Sequence, residues 1–169
     1  ELAAISHLKN PQGILAIAKF HNRESEPSAW QIALDGINDP GNLGTIIRIA
    51  DWYGISTLYC SSDTVELYNS KVIQSTMGSF LRVNVIVGEL DVLLAGKRVF
   101  ATLLDGENIR TLPKRENGVL LIGNEANGIQ PELLEKLSHT AITIPGNGHT
   151  ESLNAAMATA ICCERLVSG

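Results

Sequence analysis

The 169-residue sequence predicts an α/β fold, a mostly parallel sheet with helices on both faces. Two observations point there. Short β-branched and apolar runs recur along the chain, several nearly continuous in apolar character, as strands covered on both faces are. Segments with helical apolar spacing lie between them, and strands alternating with helices favour parallel connection.

Seven runs read as strands: residues 13–18, 31–34, 56–59, 82–87, 98–104, 119–122 and 141–144. Leu43, Ile46, Ile47 and Ala50 follow i, i+3, i+4, i+7 and give one apolar stripe; Leu153, Ala156, Met157, Ala160 and Ile161 repeat the pattern near the C-terminus. Shorter helices are expected over 67–75 and 131–137, the latter with Pro131 at a tolerated first-turn position. The polar stretch 21–28 is the one segment suited to a linker.

This length suits one domain with one core. With 44% hydrophobic and 18% charged residues and no repeat or low-complexity tract, the composition excludes a disordered or fibrous chain. No apolar run approaches the ~20 residues needed to span a bilayer, and the first ten residues do not read as a signal peptide. The three cysteines, Cys60 and the adjacent Cys162 and Cys163, have no CxxC spacing, so neither a disulfide framework nor a zinc site is indicated and a cytoplasmic location is expected. A net charge of −5 argues mildly against a nucleic-acid partner, unless RNA is gripped mainly by sequence outside this chain. A first residue of Glu1 rather than Met fits that exception.

Three motifs stand out. In the first, Asn38-Asp39-Pro40-Gly41-Asn42-Leu43-Gly44 runs into a helix carrying Arg48. It can be a plain capped helix, with Asp39 as cap and Pro40 at N1, or with Asn42 capping one turn later. It can also be a site for a phosphate or a developing oxyanion, built from helix-start N–H groups and the Arg48 guanidinium, which lies off the apolar stripe. In the second, a strand breaks at Gly123-Asn124-Glu125-Ala126-Asn127-Gly128-Ile129. Glycines there allow a simple turn or close backbone approach to a ligand beyond the strand ends of an open α/β sheet. The third, Ile144-Pro145-Gly146-Asn147-Gly148-His149-Thr150-Glu151-Ser152-Leu153-Asn154, again runs from strand to loop to helix. At its plainest, Thr150 or Ser152 caps the last helix, Asn154 faces solvent or bonds locally, and His149 is an exposed loop imidazole.

Taken together, the motifs resemble those of the SpoU branch of the SPOUT superfamily, the TrmH-like RNA ribose 2′-O-methyltransferases. Asn42, Gly44 and Arg48 match the first motif, Gly123, Glu125 and Gly128 the second, and Ile144, Pro145, Gly148, Ser152, Leu153 and Asn154 the third. The resemblance covers roughly residues 30–165. It departs at Gly146, where the family often has Met, and at Ala155-Ala156, where it often has Val-Ser. Residues 5–19 are similar to the family's junction between a small RNA-recognition domain and the catalytic domain. Residues 1–20 are therefore expected to hold the end of that linker and a first strand, and residues 21–169 the catalytic domain.

The resemblance implies a C-terminal trefoil knot, a homodimer and S-adenosylmethionine as cofactor. It places adenosine against Gly123, Ile144, Leu153 and Leu104, and transfers a methyl group to a ribose 2′-hydroxyl of structured tRNA or rRNA. The central role falls to Arg48. A guanidinium normally stays charged, so we read Arg48 as binding the adjacent phosphate and stabilising the forming alkoxide. The base is then substrate phosphate, water or a desolvated Arg48. Asn42 and Glu125 would order the loops around it, and Ser152 and Asn154 would shape the methyl end of the pocket. No Asp/Glu/His cluster of metal-ligand type is evident, so a metal-free mechanism is expected. The main alternative is a catalytically inactive RNA-binding module of the same fold, against which the joint presence of Asn42, Arg48, Glu125, Ser152 and Asn154 argues. A dinucleotide-dependent enzyme is disfavoured, since no GxGxxG follows the first strand.

Overall fold

The computed structural model describes residues 28–149 and 151–168, with Ser6, Gly13, Ile14, Ile17 and Lys19. Much of the strand expected over 13–18, most of the junction over 5–19 and nearly all of the polar stretch 21–28 fall outside the described residues. Along the rest run β1 (Trp30–Asp35), α1 (Pro40–Trp52), β2 (Thr57–Cys60), α2 (Ser70–Thr76), β3 (Asn84–Val87), α3 (Leu90–Leu93), β4 (Val99–Asn108), β5 (Gly118–Gly123), α4 (Pro131–Lys136), β6 (His139–Thr143) and α5 (Ala155–Cys163). The strands form one sheet in the order β3-β2-β1-β5-β4-β6, and every pairing is parallel.

Alternation along the strands produces the layers. Ile32, Leu34, Leu58, Cys60, Leu120 and Ile122 point to one face, where they meet Leu43, Ile46, Ile47 and Ala50 of α1 and Ala155, Ala156, Cys162 and Cys163 of α5. Ala33, Tyr59, Val99, Ala101, Val119 and Leu121 point to the other and meet Leu90 and Leu94, with Leu133 and Leu134 of α4 packed alongside. With both faces covered, the central strands have no polar side, which is why their sequences run apolar. Helices on both faces of a parallel sheet are thus observed as expected.

The ends of elements differ from the sequence reading for local reasons. β3 begins at Asn84, because Ser79–Leu81 forms a 3₁₀ turn and Arg82 leaves the strand direction to pair with Asp51. The helix expected from residue 67 starts at Ser70, where the Asn69 side chain accepts from the Lys71 N–H. The short α3 over Leu90–Leu93 had no periodic signal at four residues. Of the two caps open for α1, Asp39 is the one used: its carboxylate accepts the Asn42 N–H at 2.7 Å, with Pro40 following it. Leu153 lies outside the last helix, which begins at Ala155.

β4 departs most. Both Thr102 and Glu107 register against Ile142 of β6, so the chain leaves the ladder after Thr102 and returns to it at Glu107. Gly106 makes the return possible: a Cβ there would stand 2.8 Å from the Ala141 carbonyl carbon and the Ile142 nitrogen. The excursion carries Leu104 to its tip, 80% exposed.

Candidate active site

β1 and β5 are neighbours, but the chain leaves β1 towards β2 and leaves β5 towards the opposite edge. That opens a crevice beyond their carboxyl ends, the place where ligands bind in open α/β sheets. The loops after β1, β5 and β6, one from each sequence motif, converge there through side-chain hydrogen bonds.

Asn124 closes the middle loop. Its backbone exchanges N–H···O bonds with Gly128, at 2.9 and 3.0 Å, and its side-chain oxygen accepts the N–H groups of Ala126 and Asn127. Its amide nitrogen donates to the carbonyl of Gly36, 88 residues away, and so ties this loop to the one after β1. The closure needs a glycine before it, because a Cβ on Gly123 would lie 2.2 Å from the Gly128 carbonyl carbon and 2.3 Å from the Ile129 nitrogen.

Thus closed, the loop presents Glu125. Its carboxylate accepts from Asn42 Nδ2 at 2.8 Å; Asn42 Oδ1 accepts from Asn154 Nδ2, also at 2.8 Å; and Asn154 Oδ1 accepts the N–H groups of Ala156 and Met157. Direction is dictated from both ends. A carboxylate only accepts and helix-start N–H groups only donate, so each asparagine amide has one orientation that satisfies all its partners. Aspartate at position 42 or 154 would set two acceptors face to face. Asn154 is therefore the cap of α5, which corrects the plainer reading of Ser152 as cap; Thr150 lies outside the described residues.

Not every expected site residue joins this chain. Arg48 projects from the exposed side of α1 about two turns beyond Asn42, with no hydrogen bond or ion pair recorded among the described residues. Ser152 and Leu153 are exposed in the loop before α5. Ile144 is partly buried against the core beside Thr143, whose hydroxyl donates to the Leu104 carbonyl at 3.2 Å. Leu104 and Ile144 are thus brought to the same edge of the crevice. Ala155 and Ala156, at the start of α5, pack into the core.

Beneath the crevice, Asp35 is 3% exposed and accepts the Gln130 N–H at 2.7 Å. Burial pushes its carboxyl above the usual range; the Gln130 hydrogen bond opposes that, and the charge of Asp63 adds to it. Sequence reasoning missed Asn124, Asp35 and Gly106. Asn124 lay inside a motif, but a loop asparagine reads as a turn former, and its bond to Gly36 has no sequence signature. Among the described residues, no group of three or more His, Cys, Asp or Glu is placed to hold a metal ion, and no helix is long and apolar enough to cross a membrane.

The sequence profile of the SpoU rRNA methylase family matches residues 29–164. The chain belongs to that family. It is 33% identical over 165 residues to 23S rRNA (guanosine(2553)-2'-O)-methyltransferase RlmP of Bacillus subtilis, covering 94% of this chain and 66% of RlmP, just short of two thirds. A TrmH-family protein from Porphyromonas gingivalis superposes with a TM-score of 0.82 at 31% identity, over 98% of this chain and 70% of that one. An AdoMet-bound rRNA methyltransferase from Sinorhizobium meliloti superposes with a TM-score of 0.75 at 35% identity, over 83% and 56%. Membership gives the Glu125–Asn42–Asn154 chain a context, since it joins the three SpoU motifs end to end.

Proposed function

We propose that this chain is the catalytic part of an S-adenosylmethionine-dependent methyltransferase acting on a ribose 2′-hydroxyl of rRNA or tRNA. The observation that carries this reading is the convergence of the three SpoU motifs on one crevice through Glu125, Asn42 and Asn154. The relatives support the reaction class: RlmP is an rRNA 2'-O-methyltransferase and the Sinorhizobium protein binds AdoMet. They also support an RNA substrate despite the net charge of −5, since the chain covers only 66% of RlmP and the rest can carry RNA contacts. We assign the end of a linker from an N-terminal RNA-recognition domain to residues 1–20. The three free cysteines are buried, in keeping with a cytoplasmic enzyme.

The crevice fits the cofactor in chemical character. Leu104 and Leu153 are exposed apolar side chains, Ile144 is partly covered, and Gly123 ends β5, the neighbour of the β4 strand that carries Leu104; apolar side chains with backbone polar groups are the mix that an adenine ring requires. When bound, S-adenosylmethionine supplies an electrophilic methyl group on sulfur. The protein's part is alignment and charge. Arg48, an exposed cation with five donors, grips the phosphate beside the target ribose and stabilises negative charge on the 2′ oxygen. The ribose proton passes to a substrate phosphate oxygen or water. Glu125, Asn42 and Asn154 hold the loops in register, and Ser152 borders the methyl end. The order in which β5 enters between β1 and β4 is in keeping with the knot of the family.

Calorimetry with chelator present tests the cofactor assignment. Saturable binding of S-adenosylmethionine and its demethylated product is expected without added metal; no heat and no thermal shift at millimolar cofactor would favour the inactive module. We also propose a homodimer through the outer face of α5, where Met157 and Ile161 are exposed at i, i+4 spacing. Met157→Arg is expected to halve the mass seen by light scattering at micromolar concentration; a wild-type monomer there removes the dimer.

A further inference from the structure

We propose that Ser61 and Asp63, in the loop after β2 and outside all three motifs, are positioning residues for methyl transfer: they clamp the peptide of Gly36 and so set Asn42 against Glu125. The inference rests on the reading of the chain as an RNA methyltransferase. Gly36 follows directly on β1 and is buried, with a φ of 69° that glycine adopts without strain. Other loops take both of its backbone polar groups. Its N–H donates to Ser61 Oγ at 2.8 Å, and its carbonyl accepts from Asn124 Nδ2 at 2.6 Å. One residue on, the Ile37 carbonyl accepts the Val65 N–H at 2.9 Å. The stretch that leads to Asn42 is therefore held by the loop after β2 and by the loop that presents Glu125.

The directions of these bonds are fixed. A carboxylate only accepts, so the single Ser61 hydroxyl proton goes to Asp63 Oδ1 at 2.5 Å. That leaves the Ser61 lone pairs for the Gly36 N–H and for the Thr64 hydroxyl at 3.2 Å. The other Asp63 oxygen accepts from Gln130 Nε2 at 3.4 Å, while the Gln130 N–H is held by Asp35 at 2.7 Å. Gln130 stands just beyond the loop closed by Asn124 and Gly128, so the Asp63 carboxylate reaches both loops whose side chains meet at Asn42 and Glu125. The seat is close-fitting: a Cβ on Gly36 would stand 3.0 Å from Asp63 Oδ2. Methyl transfer depends on alignment, and a misplacement of ~1 Å can cost ~100-fold in rate. Groups behind a site that lock its loops supply that precision.

The test is methyl incorporation from labelled S-adenosylmethionine into ribosomal and transfer RNA taken from cells lacking the gene, with full-length protein and below the Tm of each variant. Ser61→Ala removes the acceptor of a buried N–H and is expected to lower kcat about tenfold or more, with KM for RNA and cofactor affinity within about twofold of wild type. Asp63→Ala should lower kcat in the same direction. Asp63→Asn should recover most of it, because an amide oxygen still accepts the Ser61 hydroxyl. In a Glu125→Ala background Ser61→Ala should add little, since the group it places is gone. Wild-type kcat in Ser61→Ala and Asp63→Ala, or a Ser61→Ala loss undiminished in the Glu125→Ala background, would overturn the proposal. So would Tm, cofactor affinity and kcat falling in step without recovery in Asp63→Asn, which makes the pair a support of the fold alone. If Ser61→Ala does not fold, the two Asp63 variants decide by the same readouts. Wild-type protein that methylates neither RNA removes the functional reading and this proposal with it, a result distinct from active enzyme indifferent to Ser61 and Asp63.

Discussion

Arg48→Ala is expected to lower methyl transfer by at least ~100-fold, the scale seen when one donor to a developing oxyanion is removed. Folding should be almost untouched. The side chain is exposed in the middle of α1, where substitutions usually change stability by under ~0.5 kcal/mol and alanine is the best helix former. Cofactor affinity should also hold, because the residues proposed for adenosine lie in β4, at the end of β5 and in the segment after β6, whereas Arg48 is proposed to contact the substrate. Arg48→Lys should recover little, since an ammonium cannot reproduce the planar two-pronged contact to phosphate. The measurement is single-turnover methylation of the identified RNA beside cofactor binding and melting temperature. A variant that melts and binds normally yet methylates near the wild-type rate would take Arg48 out of the active site.

Gly123→Ala should act by a different route and damage both the fold and the site. The added methyl meets backbone atoms of Gly128 and Ile129 at 2.2–2.6 Å, and backbone cannot swing aside as a side-chain tip can. The loop must open, which breaks the paired bonds between Asn124 and Gly128 and displaces Glu125 from Asn42. Overpacking of this kind costs ~1–3 kcal/mol and sometimes more, and a chain of this size loses roughly 2–4 °C of Tm per kcal/mol. Cofactor affinity should fall with the Tm, by tenfold or more. Glu125→Ala separates the two effects: the loop stays closed by Asn124, so methylation should drop while the Tm moves little. A Gly123→Ala protein with wild-type Tm and cofactor binding would show that the loop has another closed form.

Much of this was legible before any coordinates. The apolar runs identified six strands of the sheet, and the i, i+3, i+4 pattern of Leu43, Ile46 and Ile47 identified α1, because burial imposes its period on the residues it covers. The three motifs were legible only together, through their resemblance to the SpoU family, because each by itself reads equally as a plain turn or a helix cap. The reading faltered where a residue serves two purposes. Leu153 continues a helical stripe in sequence yet stays outside α5, because Asn154 ends the loop by capping the next turn.

What the sequence by itself determined is therefore the six strands, the longer helices, the parallel arrangement and the three motifs. Only the tertiary structure decided how the motifs meet. Asn42 and Glu125 are separated by 83 positions and Asn42 and Asn154 by 112, and hydrogen bonds between such partners leave no periodic trace. The same holds for the glycines. Nothing local distinguishes Gly106 and Gly123 from turn glycines; their necessity comes from backbone passing within 3 Å of where a Cβ would stand. Periodicity records which face of an element is covered, whereas close approach between distant segments exists only once the sheet has assembled and brought them together.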